Sequence, residues 1–117
     1  MNDAMYNRRM TALLERMGGL YTFADILDKI ASGKMQSFSK GNTWAVTEIH
    51  DYPRRRVLDI LFVVGDMDDL EDLYKTVIDF ASSVDASLVR AHGRVGWVKF
   101  TKKYDWRVVE QVYYKDL

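Results

Sequence analysis

Eight consecutive residues, Val57–Val64 (VLDILFVV), carry a single polar side chain, Asp59. A strand that is apolar on both faces must be covered on both faces, which places it in the middle of a layered α/β protein. The residues after it sharpen the point. Gly65 ends the run, and Asp66–Val84 sets Met67, Leu70, Leu73, Tyr74, Val77, Ile78 and Ala81 at helical spacing. Asp66, Asp68, Asp69, Glu71 and Asp72 crowd the first turns of that helix, where its dipole favours negative charge. Ser87–His92 reads as a second strand. A crossover of this length makes 57–64 and 87–92 parallel neighbours in a right-handed β-α-β unit.

Two short amphipathic helices lead the chain. Asp3 caps the first, whose apolar residues Met10, Leu13, Leu14 and Met17 fall at i, i+3, i+4 and i+7. Gly18-Gly19 stops it, which divides the chain into a helical extension, 1–19, and an α/β domain, 20–117. Thr22 opens the second helix with Asp25 three residues on, a variant of the capping box, and Ser32-Gly33 closes it. Met35–Ser39 is a short extended run and Lys40-Gly41-Asn42 a turn. Thr43–Tyr52 then alternates, with Trp44, Val46, Glu48, His50 and Tyr52 on one face. Tyr52-Pro53-Arg54-Arg55 reverses the chain into Val57, completing a meander. After the β-α-β unit, Gly93–Gly96 leads into a short helix, Trp97–Tyr104. Arg107–Tyr114 (RVVEQVYY) reads as a closing strand with Tyr113 and Tyr114 on opposite faces. The expected fold is therefore a single α/β domain with a mixed central sheet, in the order α-α-β-β-β-α-β-α-β.

With 117 residues, 48% hydrophobic and 29% charged, the chain has the balance of a globular domain and not of a disordered one. It contains no cysteine, which excludes thiol catalysis, disulfide frameworks and cysteine zinc sites. Its two histidines, His50 and His92, leave little for a metal centre. No apolar run reaches the ~18 residues of a membrane span, and the first residues lack a signal-peptide core. The expected location is the cytoplasm, or a particle assembled there, with no membrane partner.

The net charge is zero but unevenly spread. Residues 1–56 carry +3, from nine Lys/Arg and six Asp/Glu; residues 57–86 carry −7, from one lysine and eight acids; residues 87–117 carry +4, from seven and three. Arg54, Arg55 and Arg56 stand beside a turn, either solvated or gripping a phosphate or an acidic protein surface. Arg94 and Trp97, between Gly93 and Gly96, form either core filling or an exposed cation–aromatic patch. Lys99, Lys102 and Lys103 share a short helix, with nucleic acid the lesser alternative to a solvated face. In the first helix Met5, Met10, Leu13, Leu14 and Met17 make a methionine-rich stripe. It either packs on its own domain or serves as a contact with another copy or another protein.

The element order around 22–117 resembles the GNAT acetyltransferase fold without the usual first strand and without the last. The stretch Phe100-Thr101-Lys102-Lys103-Tyr104-Asp105-Trp106 is similar to the passage in which GNAT enzymes run from their last helix into the next strand. Tyr52-Pro53-Arg54-Arg55-Arg56 and Gly93-Arg94-Val95-Gly96-Trp97 resemble small GNAT-like proteins of tailed phages and prophages. The resemblance implies acetyl-CoA as cofactor, cradled at the start of the crossover helix by Gln/Arg-x-x-Gly-x-Gly/Ala. Here that stretch is Phe62-Val63-Val64-Gly65-Asp66-Met67, so the cofactor candidates are Gly65, Asp66 and Met67. Only Gly65 matches. Asp66, Asp68 and Asp69 would meet a pyrophosphate with like charge, and two such charges ~4 Å apart repel by about 4 kcal/mol at an effective dielectric near 20.

The family's tyrosine general acid falls at Thr101, whose hydroxyl is a far weaker acid. Tyr104, three residues on, stands where a core leucine is usual. A general base would come from Glu48, His50 or Asp59. The expectation is a GNAT-like chain that needs no cofactor and binds protein, in phage particle assembly, through Arg54, Arg55, Arg56, Arg94, Trp97, Met10, Leu13 and Leu14. A homo-oligomer is one form of that. The alternatives are a divergent acetyl-CoA-dependent N-acetyltransferase and a nucleic-acid-binding accessory protein.

Overall fold

The computed structural model describes residues 3–66, 68–93 and 97–117, without the side chains of Val98 and Lys99. Among the described residues four strands form one sheet in the order β1 (Gln36–Lys40), β2 (Thr43–Asp51), β3 (Arg56–Gly65), β4 (Leu88–Ala91). The first three are antiparallel neighbours and β3–β4 is parallel, as the β-α-β pattern requires. Helices α1 (Asp3–Arg16) and α2 (Phe23–Ala31) cover one face, and α3 (Leu70–Ser83) covers the other. A short α4 (Val98–Lys103) follows β4.

The two-sided burial of Val57–Val64 explains the layers. Leu58 packs with Val77 and Ala81 of α3, whereas Phe62 and Val64 pack with Met5, Tyr6, Met10 and Leu14 of α1 and with Ile26 of α2. One irregularity redirects the strand. Val46 pairs with Phe62 and Thr47 with Ile60, leaving Leu61 without a partner. Leu61 and Phe62 then both turn towards α1, while Asp59 stays on that same face.

Thr22 caps α2 with the expected reciprocal bonds: its Oγ1 accepts from the Asp25 N–H (3.1 Å), and its own N–H donates to Asp25 Oδ2 (2.8 Å). These bonds hold the Asp25 carboxyl below its usual pKa.

Three expectations need correction. Helix α3 starts at Leu70 and not at Asp66, because Asp66 and Asp69 are held against other parts of the chain. Residues 107–114 form no strand, and Tyr113 and Tyr114 are 84% and 57% exposed, so neither is core. The reason lies at the two ends of that segment. Asp105 adopts a positive φ of 63°, and Trp106 donates from Nε1 to the Tyr74 hydroxyl on α3 (3.0 Å). Tyr114 lies over Gly18 at the end of α1, so a Cβ added there would stand 2.8 Å from its ring. A segment strung between helices on opposite faces does not lie along β4.

Third, the stripe of α1 faces inward: Met10 and Leu14 are buried in the core and Leu13 packs against it. The helix covers its own sheet with those residues and does not present them to a partner.

Candidate functional site

Strand register assembles a polar cluster on the α1 face that local sequence does not reveal. Glu48 of β2 pairs with Asp59 of β3, and Asp59 pairs with Arg90 of β4, so the three side chains stand in a row across the sheet. Asp59 is only 1% exposed. Its carboxylate accepts from Arg90 Nε (2.5 Å) and Nη2 (2.7 Å), a two-pronged pair that satisfies both oxygens. Arg90 Nη2 also donates to the Tyr52 hydroxyl (2.8 Å), and the guanidinium carbon lies 5.4 Å from that ring's centre. The Asp59 and Tyr52 bonds raise the Arg90 pKa further, keeping it a fixed cation.

His50 completes the group. Its Nε2 lies 2.6 Å from Glu48 Oε1 and 3.3 Å from Asp59 Oδ2, and its ring stacks on Tyr52 with centroids 6.3 Å apart. The cluster opens into a cleft of about 230 Å³ whose walls include Leu14, Met17, Tyr21, Leu61, Phe62 and Tyr114, with His92 at its margin. A histidine oriented by one carboxylate, with a second held by arginine, is chemically able to take up a proton. Among the described residues no three His, Asp or Glu side chains are grouped to hold a metal ion. Replacing Asp59 by Asn keeps the shape and removes the charge. Equilibrium denaturation should register a loss of about 2 kcal/mol, the scale of hydrogen bonds to a charged partner; an unchanged midpoint would show the pair to be dispensable.

The start of α3 is arranged differently from an anion cradle. The Asp66 N–H donates to the Asn42 carbonyl (3.1 Å) in the β1–β2 turn, so this amide is already committed. The Asp66 carboxylate pairs with Arg9 Nη2 (2.8 Å) from α1. The Asp69 carboxylate lies against Gly41, and no side chain caps the helix. Gly65 has φ 121°, and a Cβ there would collide with the Asn42 carbonyl oxygen. The glycine is thus required by the packing of the hairpin. These groups do not fit a pyrophosphate, which needs free N–H donors and no carboxylates.

The other candidates are scattered. Thr101 and Tyr104 belong to the α3 side of the sheet, away from Glu48 and His50. Thr101 is half-buried in α4, and its carbonyl accepts the Trp106 N–H (2.9 Å). Tyr104 packs on Tyr74 and Phe100 with centroids 4.5 and 4.8 Å away; desolvation first, then Glu71, raises its pKa.

Trp97 is half-buried, meets Phe100 edge-on and covers Gly93, so it is packing and not an exposed patch. Arg94 and Met67 lie outside the described residues. Arg55 donates to the Ser87 hydroxyl and carbonyl; Arg56 forks onto Asp51 (2.7 and 3.2 Å) and reaches the Val84 carbonyl. These two arginines tie the β2–β3 turn to the α3–β4 connection, which leaves Arg54 alone of the three facing solvent without a partner among the described residues.

Arg90 and Tyr52 are the members of the cluster that sequence reading did not single out as site residues. A usable signal exists: the apolar run 57–64 and the strand Leu88–Ala91 each carry one charged residue, Asp59 and Arg90, and the parallel register sets them side by side.

No family model matches the sequence, and no curated protein matches it either. Solved structures do. A Trypanosoma brucei acetyltransferase superposes with a TM-score of 0.66 at 19% identity, covering 95% of this chain and 94% of that one. The tetramutant of a Bacillus halodurans protein gives 0.70 at 10% identity, over 99% and 94%. A ribosomal-protein-alanine N-acetyltransferase from Brucella melitensis gives 0.60 at 10%, over 96% and 93%. The fold is GNAT-like, a mixed α/β domain with a four-stranded mixed sheet.

Proposed function

We propose that this chain is a GNAT-like protein that has given up acetyl transfer and works as a protein-binding factor, in phage particle assembly. The observation that carries the first part is the start of α3, where the Asp66 amide is bonded to Asn42 and the Asp66 and Asp69 carboxylates flank the approach. A cofactor pyrophosphate would have to displace that contact and then face like charge. The separation of Thr101 and Tyr104 from the Glu48–His50 pair supports the same reading. Protein binding is supported by the density of exposed apolar residues in one segment, with Val108, Val109, Val112, Tyr113 and Leu117 all solvent-facing within 108–117. The phage setting rests on the resemblance of Tyr52–Arg56 and Gly93–Trp97 to small phage proteins.

Titration calorimetry with acetyl-CoA at physiological salt tests this reading. The expected result is no saturable heat in the low-micromolar range. Well-defined saturable binding there would overturn it.

A divergent N-acetyltransferase is the second reading, favoured by the His50–Glu48–Asp59 group in its cleft. Under that reading Glu48→Gln would abolish acetyl transfer to an amine while leaving the fold intact. The nucleic-acid reading is weakened by the internal partners of Arg55 and Arg56.

A further inference from the structure

β4 is an edge strand among the described residues, paired only with β3. The His92 N–H bonds inward to the Ile60 carbonyl, so by alternation Arg90 and Leu88 also face β3 and the peptide groups of Val89 and Ala91 point to the open side. Unpaired peptide groups in a row are a template for another strand. Segment 107–114 has the composition of one, with Val108, Val109, Val112, Tyr113 and Tyr114 and neither glycine nor proline. It forms no strand within its own chain, where Trp106 is anchored on α3 and Tyr114 lies over Gly18. Val108 and Val109, on opposite faces of the segment, are 83% and 76% exposed.

Charge gives the register. On the α1 face the row across the sheet runs Glu48, Asp59, Arg90 and ends on a cation. Glu110, exposed in the middle of the segment, supplies the next anion. An antiparallel register with Glu110 beside Arg90 sets Val112 beside Leu88 and Val109 beside Ala91, apolar against apolar on each face.

We propose that the occupant of the β4 edge is a second copy of this chain: residues 107–114 of each copy pair antiparallel with β4 of the other, closing a two-fold dimer. This rests on the protein-binding reading above and names the partner.

Sedimentation of the full chain across a concentration series tests it. The expected result is a reversible dimer, weakened at least about tenfold by Val109→Lys with Val112→Lys, and likewise by Glu110→Lys. All three positions are exposed, so dilute variants should melt with the wild-type monomer. Hydrogen exchange should show the Val89 and Ala91 amides protected only at dimer-forming concentrations. A chain that stays monomeric, a dimer indifferent to the substitutions, or protection independent of concentration (the segment folding onto its own edge) would each overturn the proposal. Failure of self-association with no acetyl-CoA heat sinks this inference alone. Saturable acetyl-CoA heat sinks the non-catalytic reading instead.

Discussion

A chain lacking residues 1–19 should not fold. Those residues contribute Met5, Tyr6, Met10 and Leu14 to the main core, and the Tyr6 ring packs on Trp44 with centroids 5.2 Å apart. Removing them would bare the α1 face of β2 and β3, including Val46, Phe62 and Val64. A domain of this size holds only ~5–15 kcal/mol in total, and losing four buried side chains at ~2–5 kcal/mol each removes about as much as the whole. The truncated protein should show no cooperative thermal transition and should expose apolar surface to a dye. Met10→Ala is the graded version, costing about 3 kcal/mol by denaturant titration because Met10 is fully buried. If the truncated chain melted cooperatively near the temperature of the full chain, α1 would be a detachable extension after all.

Gly65→Ala should be the most damaging single methyl addition. At φ 121° the residue occupies a region that side-chain-bearing residues rarely adopt, which alone costs about 1–3 kcal/mol. The added Cβ also meets the backbone carbonyl of Asn42, which cannot rotate away as a side chain would. Relief requires the β1–β2 turn to leave the start of α3, breaking the Asp66–Asn42 bond. The total should reach at least about 3 kcal/mol, with amide exchange faster at Asp66 and in the turn. Gly41→Ala is the control. Its φ of 56° lies in the ordinary left-handed region and its new neighbour is the flexible Asp69 carboxylate. A loss of about 1 kcal/mol is expected there. Equal effects at the two glycines would contradict this account of Gly65.

The same comparison bears on function. A glycine at this place in a GNAT-like fold invites the inference of a cofactor cradle, yet the hairpin contact is sufficient to require it. Whether the loop could also admit an anion depends on Asn42, twenty-four positions from Asp66, and that contact is invisible in the local sequence.

The sequence by itself determined the elements up to β4 and their sheet directions, but not the fate of the strand-like segment 107–114. The two-sided apolar run Val57–Val64, the helical stripe after it and the strand 87–92 dictated a parallel pair with a helix between. Thr22 with Asp25 dictated a helix start. These features are legible because periodicity, capping and turn chemistry act over a few residues.

What only the tertiary structure decided are the meetings between distant residues. Asp59 and Arg90 are thirty-one positions apart, and their pairing follows from β3–β4 register. Leu61 is unpaired because the β2 partners of its neighbours slip by one, a shift no alternation pattern announces. The strand-like residues 107–114 stay unpaired because Trp106 and Tyr114 are fastened to helices on opposite faces of the sheet. Propensity can say that a segment is able to be a strand, but a strand also needs an edge within reach, and reach is set by where its two ends are held.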